Sequence, residues 1–373
     1  MSEPTSTDTA AAPRSTQPSS PSSSSQSLEN LCINAIRVLA MDAVQKADSG
    51  HPGTPMALAP LAYALWTQHL RYNPADPAWL NRDRFVLSAG HASMLLYSVF
   101  YLTGYDLTLD DLKNFRQWES KTPGHPELHY TPGVETTTGP LGQGIGNAVG
   151  MAVGEAHMAA VFNRDQKIFD HNVYFIASDG DMMEGVSHEA ASFAGHHKLG
   201  KLIGFYDDNH ITIEGDTALT FSDDTAARFD AYGWHTQHVA DVNDLAELNR
   251  AIEAAKAETS RPSLIVVRSH IGFGSPNKHD TAEAHGSALG VDEIKLTKEA
   301  LGYPSQEPFY VAPDALRYWR EAAKKRARPE EDWKKLYDAY KSANPALEKE
   351  LQRRLNGDLA DGWEDALPVF TAN

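Results

Sequence analysis

Between residues 172 and 269, short β-rich runs alternate with segments of helical periodicity: "NVYFIAS", then 184–198, "KLIGFYDD", 223–231, "WHTQHVAD", 243–258 and "SLIVVRS". Few folds accept this order. Parallel strands cannot be joined by tight turns, so each pair needs a crossover, and the crossover helices cover the sheet. The alternation therefore predicts an α/β chain with a parallel sheet and helices on both faces, whose ligands collect at the carboxyl ends of the strands. Upstream, Leu31, Ala35, Val38, Leu39, Asp42 and Ala43 recur at helical spacing, with Ser27 as cap and Gly50 beyond the end. A helix is expected there, just before "SGHPGTP".

A chain of 373 residues can bury a sizeable core. Residues 1–26 are nearly all Ser, Thr, Pro and Ala, which gives ordering little apolar surface to offset its entropy, so a disordered tail is expected. A transit peptide would also be Ser-rich, but Arg-rich and poor in acid as well, whereas this tail has Arg14 alone beside Glu3 and Asp8. Residues 27–312 read as one α/β domain. From 313 to 373 the chain is charged and helical without strand signals, and reads as a linker towards a further domain that these residues do not contain. The net charge of −17 disfavours nucleic acid and anionic membranes as partners. Cys32 is the only cysteine, which excludes an intrachain disulfide framework and fits a reducing, cytoplasmic compartment. The sequence lacks both a membrane-length apolar run and the apolar core of a secretory signal.

The apolar run "VYFIAS" stops at Asp179-Gly180-Asp181, and a second run, "KLIGFY", ends in Asp207-Asp208-Asn209. If these strands are neighbours, Asp179 and Asn209 converge at the ligand-binding edge of the sheet. A carboxylate, an amide oxygen and a nearby carbonyl are hard donors suited to Mg²⁺ bridging a diphosphate. Asp-Gly and Asp-Asn are also ordinary turn pairs, so the residues alone leave both readings open. His51, His91, His125 and His285 each sit beside Gly or Pro in predicted loops. One such histidine is commonly a surface or capping residue; four suggest a pocket of neutral donors and acceptors for polyhydroxylated or phosphorylated substrates. None lies in an HExxH helix pattern. Gly142, Gly146, Gly150 and Gly154 form a side-chain-free helical stripe suited to close packing of another helix, of this chain or of a second subunit, while Gly139, Gly142 and Gly144 fall before or at the helix start, where bare amides suit a phosphate or a cofactor ring.

Over residues 28–310 the chain resembles the amino-terminal half of the transketolase family of thiamine diphosphate enzymes. "SGHPGTPMALAPLAYALW", "FVLSAGHASMLLYS", "KTPGHPE", "GVETTTGPLGQGIGNAVGMA", "SDGDMMEG", "YDDNHITIEG", "FDAYGW", "IGFGSPNK" and "AHGSALG" occur in family order. The resemblance implies that Asp179, Asn209 and the main-chain carbonyl of Ile211 bind Mg²⁺ or Ca²⁺, which grips the cofactor diphosphate. It places Gly180 on the diphosphate with Glu184 nearby, and Gly139, Pro140 and Leu141 beside the cofactor. His91 would contact the cofactor, His285 would lie between diphosphate and substrate, and His51 and His125 would face the sugar. The implied reaction moves a glycolaldehyde unit from xylulose 5-phosphate to ribose 5-phosphate, within the pentose phosphate pathway, at a site shared between subunits. The partner would be a second copy or a chain carrying the pyrimidine-binding domain. Deoxyxylulose-phosphate synthase, dihydroxyacetone synthase and a non-catalytic cofactor-domain module are the alternative readings. Two departures stand out: Ser178 occupies the place of a common glycine, and Ala282 and His279 lie where many members carry another histidine.

Overall fold

The computed structural model describes residues 27–370. The expected tail, 1–26, lies outside them. Helix α1 (Leu28–Ala47) begins where the Ser27 hydroxyl accepts a hydrogen bond from Asn30 N at 3.2 Å, satisfying one of the orphan amides of the first turn. Helix α2 (Gly53–Ala64) is buried on every side, as an all-apolar helix must be. Strand β1 (Arg84–Leu87) leads into α3 (Ser93–Thr103), the short α4 (Leu109–Lys113) and the glycine-striped α5 (Gln143–Phe162). The alternating region then supplies β2 (Val173–Ser178), α6 (Asp179–Met183), α7 (Gly185–His196), β3 (Leu202–Asp208), a two-residue hairpin of β4 (Ile211–Thr212) and β5 (Gly215–Asp216), α8 (Thr225–Ala231), β6 (His235–Val239), α9 (Leu245–Ala257) and β7 (Ser263–Arg268). Helices α10 (Val291–Ala300), α11 (Pro313–Ala343) and α12 (Pro345–Leu355) follow.

The five long strands form one sheet in the order β1-β2-β3-β7-β6, and every pair in it is parallel. Side chains alternate across it with period two. Tyr174, Ile176, Ile203, Phe205, Ile265 and Val267 enter a core shared with α1, α2, α3 and α9. Val173, Phe175, Ala177, Leu202, Tyr206, Leu264 and Val266 face a second core with α5, α7 and α8. Being covered on both faces, β2 and β3 read as continuous apolar runs rather than alternating ones. Helix α11 docks on the first core through Ala315, Trp319 and Ala323, so the charged segment after 313 packs against the domain.

The stripe on α5 meets a different environment at each glycine. A methyl group on Gly142 would collide with Glu184 Cβ at 2.7 Å and Ser187 Oγ at 2.8 Å, one on Gly146 would just touch Val186 at 3.9 Å, and ones on Gly150 and Gly154 would meet nothing within 4 Å. Only the first turn of the stripe is therefore explained by packing within the described residues.

Lys298 is anchored in the interior beside Asp42, Nζ to Oδ2 at 3.0 Å, and Asp42 also accepts the Phe309 amide at 2.7 Å. Both side chains are almost wholly buried, so removing one partner strands the other charge. Asp42→Ala is expected to cost about 3–5 kcal/mol, read as a lower midpoint in urea unfolding. The double variant Asp42→Leu/Lys298→Met is expected to recover most of that loss.

Candidate active site

Parallel pairing of β2 with β3 sets Ser178 opposite Asp207, so the two strands deliver their acidic ends to the same place. Asp179 opens α6 there and is buried. Its Oδ1 accepts a hydrogen bond from the Tyr206 hydroxyl, while Oδ2 is buried without a protein partner. Burial, reinforced by the charges of Asp207 and Asp208, pushes the Asp179 carboxyl up to about 7. Asp207 is held by Ser269 Oγ and by Asn209 Nδ2 at 2.8 Å, and burial lifts its carboxyl to about 6. The Asn209 side-chain oxygen accepts the Ile211 amide at 2.8 Å and keeps a second lone pair.

Asp181, two residues on, has a different task. Its Oδ1 accepts from Ser88 Oγ and from Gly142 N, each at 2.7 Å; its Oδ2 accepts from Ser178 N at 2.8 Å and Ser178 Oγ at 3.1 Å. One buried carboxylate thus ties the end of β2, the segment after β1 and the start of α5 together. Gly142 carries φ +77° at the entry to α5, and a side chain there would strike Glu184 Cβ at 2.7 Å. Ser178 and Asp181 form the capping box of α6. A methyl on Gly180 would meet Leu141 Cδ1 at 2.7 Å, so the glycine lets Leu141 lie across the turn.

Around this edge a cavity of about 460 Å³ is lined by His51, His91, His125, His285, Gly139, Leu141, Asp179, Gly180, Asn209 and Ile211. Thr54, Ser178, Met183 and the 212–214 turn also line it, none of which sequence reasoning had placed there. Pro140 and Glu184 are exposed and lie outside the lining. The His51 and His91 rings meet edge to face at 5.1 Å, His51 and His285 at 5.6 Å, and His91 stacks on His285 at 5.3 Å. His51 Nδ1, His91 Nε2, His285 Nδ1 and Thr138 Oγ1 are buried without hydrogen-bond partners. Burial first, then the neighbouring His285, Arg116 and His125, lowers His51 to about 4; His91 is pushed well down by burial and then by His285, His51 and His125. His125 and His285 are lowered too, chiefly by burial.

Among the described residues no lysine or arginine lines this cavity. An anionic group bound here must bring a counter-charge, and the donors at the strand ends are oxygens with one orphaned carboxylate atom among them. That donor set fits a hard divalent cation bridging phosphates, and the side-chain-free turn at Gly180 fits the group's close approach.

Residues 28–360 match the family model for the transketolase thiamine diphosphate binding domain. The chain belongs to the transketolase family. It is 58% identical over 349 residues to a transketolase of Nostoc sp., covering 93% of this chain and 52% of that protein. Among solved structures it resembles a Pichia stipitis transketolase in complex with sedoheptulose-7-phosphate, at TM-score 0.88, 48% identity, and coverage of 92% of this chain and 51% of that one. It also resembles the transketolase of Leishmania mexicana, at TM-score 0.89, 45% identity, and coverage of 93% and 52%. The chain spans about half the length of these relatives.

The depressed His51 makes a pH signature. Unfolding lets it regain a proton, so the stability it supports is present above pH 6.5 and is lost as pH falls towards 4. His51→Gln is expected to flatten the fall in melting temperature between those values, measured by circular dichroism in a series of buffers.

Proposed function

We propose that this chain supplies the metal- and diphosphate-binding half of a transketolase that transfers a glycolaldehyde unit from a ketose phosphate to an aldose phosphate. Xylulose 5-phosphate and ribose 5-phosphate are the sugars proposed. The observation that carries the reading is a single cavity lined by both an orphaned buried carboxylate oxygen and three histidine nitrogens lacking partners. Asp179, Asn209 and the main-chain carbonyl of Ile211 are assigned to Mg²⁺ or Ca²⁺, and Gly180 to the diphosphate through its backbone. Gly139, Pro140 and Leu141 are assigned to the remainder of the cofactor, with Glu184 at the rim. Bound thiamine diphosphate would supply a nucleophilic carbon for the ketose carbonyl.

The residues of the chain bind, orient and manage protons around it. The Asp179 carboxylate must lose its proton to hold the ion, and an ion in contact with it favours the charged form. Each neutral imidazole offers one donor and one acceptor, which suits contact with a sugar hydroxyl and proton movement at an oxygen that gains negative charge. His91 faces the cofactor in this assignment, His285 stands between diphosphate and sugar, and His51 and His125 meet the hydroxyls. Beyond His125 a second cleft of about 570 Å³ contains Arg116, Ser49 and Tyr130, a polar approach for a sugar chain.

A pyrimidine-binding domain completes the site in this reading, contributed by a second copy in a homodimer or by a separate chain. Val153, Met183, Val186 and Phe193 on and around α5 and α7 are partly exposed apolar groups at hand for such a partner. A cytoplasmic setting accords with the one cysteine, Cys32, whose thiol burial pushes up to about 12 and so keeps unreactive.

Ketol transfer is expected when the chain is mixed with a chain bearing the pyrimidine-binding domain, thiamine diphosphate and Mg²⁺, and not from this chain alone. Turnover by the chain alone would overturn the half-site assignment. Calorimetric titration with Asp179→Ala is expected to give a Mg²⁺-dependent cofactor affinity at least about tenfold weaker, since loss of even an outer-shell partner of a metal ligand costs about that much. Unchanged affinity would remove Asp179 from the metal.

A further inference from the structure

The loop after β7 contains a second group of metal-type donors, outside the cavity lining. His270 Nδ1 lies 2.8 Å from Asp280 Oδ2, and His279 Nε2 lies 3.2 Å from the same oxygen. The two rings stack at 5.2 Å, and the three ligand atoms fall within 4.8 Å of one another. Roughly a third of each side chain remains in solvent, 33% for His270 and 38% for the other two, so an ion has a path in and room for water.

The backbone holds this convergence in place. Asp280 adopts φ +54°, a left-handed conformation uncommon for a residue with a side chain, and its amide donates to Ile271 O at 2.9 Å. That bond pins the returning limb of the loop beside the limb that carries His270. On the other side, the His279 ring rests against Phe273 at 5.9 Å, and the Arg37 guanidinium covers Phe273 at 4.1 Å. Two imidazoles sharing one carboxylate oxygen exceed what a hydrogen-bonded His–Asp pair requires.

We propose that His270, His279 and Asp280 form a site for a borderline transition-metal ion of the Zn²⁺ class, with water completing its coordination. Two imidazole nitrogens and one carboxylate oxygen are the donor set such ions select, whereas Mg²⁺ and Ca²⁺ prefer the all-oxygen set at Asp179 and Asn209. The geometry is close to what the ion needs. Ligands about 2.0–2.1 Å from a tetrahedral centre lie about 3.3–3.4 Å apart, so the His270 contact at 2.8 Å must open by about half an ångström and the His279 contact at 3.2 Å by about 0.2 Å, while the two nitrogens, which lie within 4.8 Å of each other, come to the same spacing. The site ties the two limbs of the loop whose far end carries His285, so its occupancy rigidifies the segment that reaches into the cavity.

The test is a titration of the tag-free chain with Co²⁺ in excess Mg²⁺, followed by visible ligand-field absorption and by displacement with Zn²⁺. A single Co²⁺ with a four- or five-coordinate spectrum is expected, and its apparent affinity should fall at least about tenfold in His279→Ala and in Asp280→Asn. Asn tolerates the left-handed backbone, so Asp280→Asn removes the charge and keeps the loop conformation; matching metal-free melting curves establish that both variants fold. Zn²⁺ is expected to slow amide exchange across 271–285 in the unaltered chain and not in Asp280→Asn. Asp179→Ala should leave the Co²⁺ spectrum intact. Absence of a specific Co²⁺ spectrum, unchanged affinity in both loop variants, or loss of the spectrum in Asp179→Ala would each overturn the assignment.

Discussion

The pairing of Ser178 with Asp207 across β2 and β3 is the constraint on which the site rests. Parallel strands end on the same side of the sheet, so this register brings Asp179, Asp207, Asp208 and Asn209 together at one edge. A slip by one residue would reverse the face of every side chain on β2, exchanging Phe175 and Ala177 of one core for Tyr174 and Ile176 of the other. The two apolar layers therefore fix the register, and the register fixes the polar end. The cost of burying these carboxylates, and secondarily of placing them side by side, is visible in the raised Asp179 and Asp207. An ion that binds the folded edge and not the unfolded chain returns that cost as stability.

Asp181 performs the complementary structural task. Its four hydrogen bonds occupy both carboxylate oxygens, so this acid is spent on holding Ser88, Ser178 and Gly142. Neighbouring acids on one turn thus divide the work: Asp181 positions the loops, while Asp179 keeps one oxygen free. The division follows from where each side chain points after the strand ends, since α6 turns Asp181 back towards β1 and leaves Asp179 at the cavity.

Much of this order was legible in the residues. The run from "NVYFIAS" to "SLIVVRS" predicted β2, α7, β3, α8, β6, α9 and β7, because apolar strands and amphipathic helices differ in period. Strand β1 was not foreseen: "RFVL" is four residues long and stops at a Ser-Ala-Gly turn, too short to separate strand from buried helix. The hairpin of β4 and β5 has two residues per strand and leaves no periodic trace. Ser27 was legible as a cap because capping is local. Ser88 and Tyr206 were not legible as members of the site, since their partners, Asp181 and Asp179, come from distant segments. The nearest local hint was the Ser-x-x-Asp spacing from Ser178 to Asp181, a capping-box pattern. Nothing in the sequence distinguished Pro140 and Glu184, which are exposed, from the neighbours that line the cavity.

Why the pocket uses histidines follows from their crowding. His51, His91 and His285 lie with ring centroids 5.1–5.6 Å apart, too close in a buried space for all to carry protons, and each proton gained by one makes the next less favourable. The cluster is therefore neutral near pH 7. Lysines in the same positions would carry fixed donors and repel one another; neutral rings present donors and acceptors together, as a chain of hydroxyls requires. Among the described residues no lysine or arginine lines the cavity, so in the proposed reading an ion at the strand ends would balance the charge of a bound diphosphate. In that reading the cavity divides two tasks between its groups: charge neutralisation at the oxygen donors of the strand ends, and hydrogen bonding with proton transfer at the imidazoles.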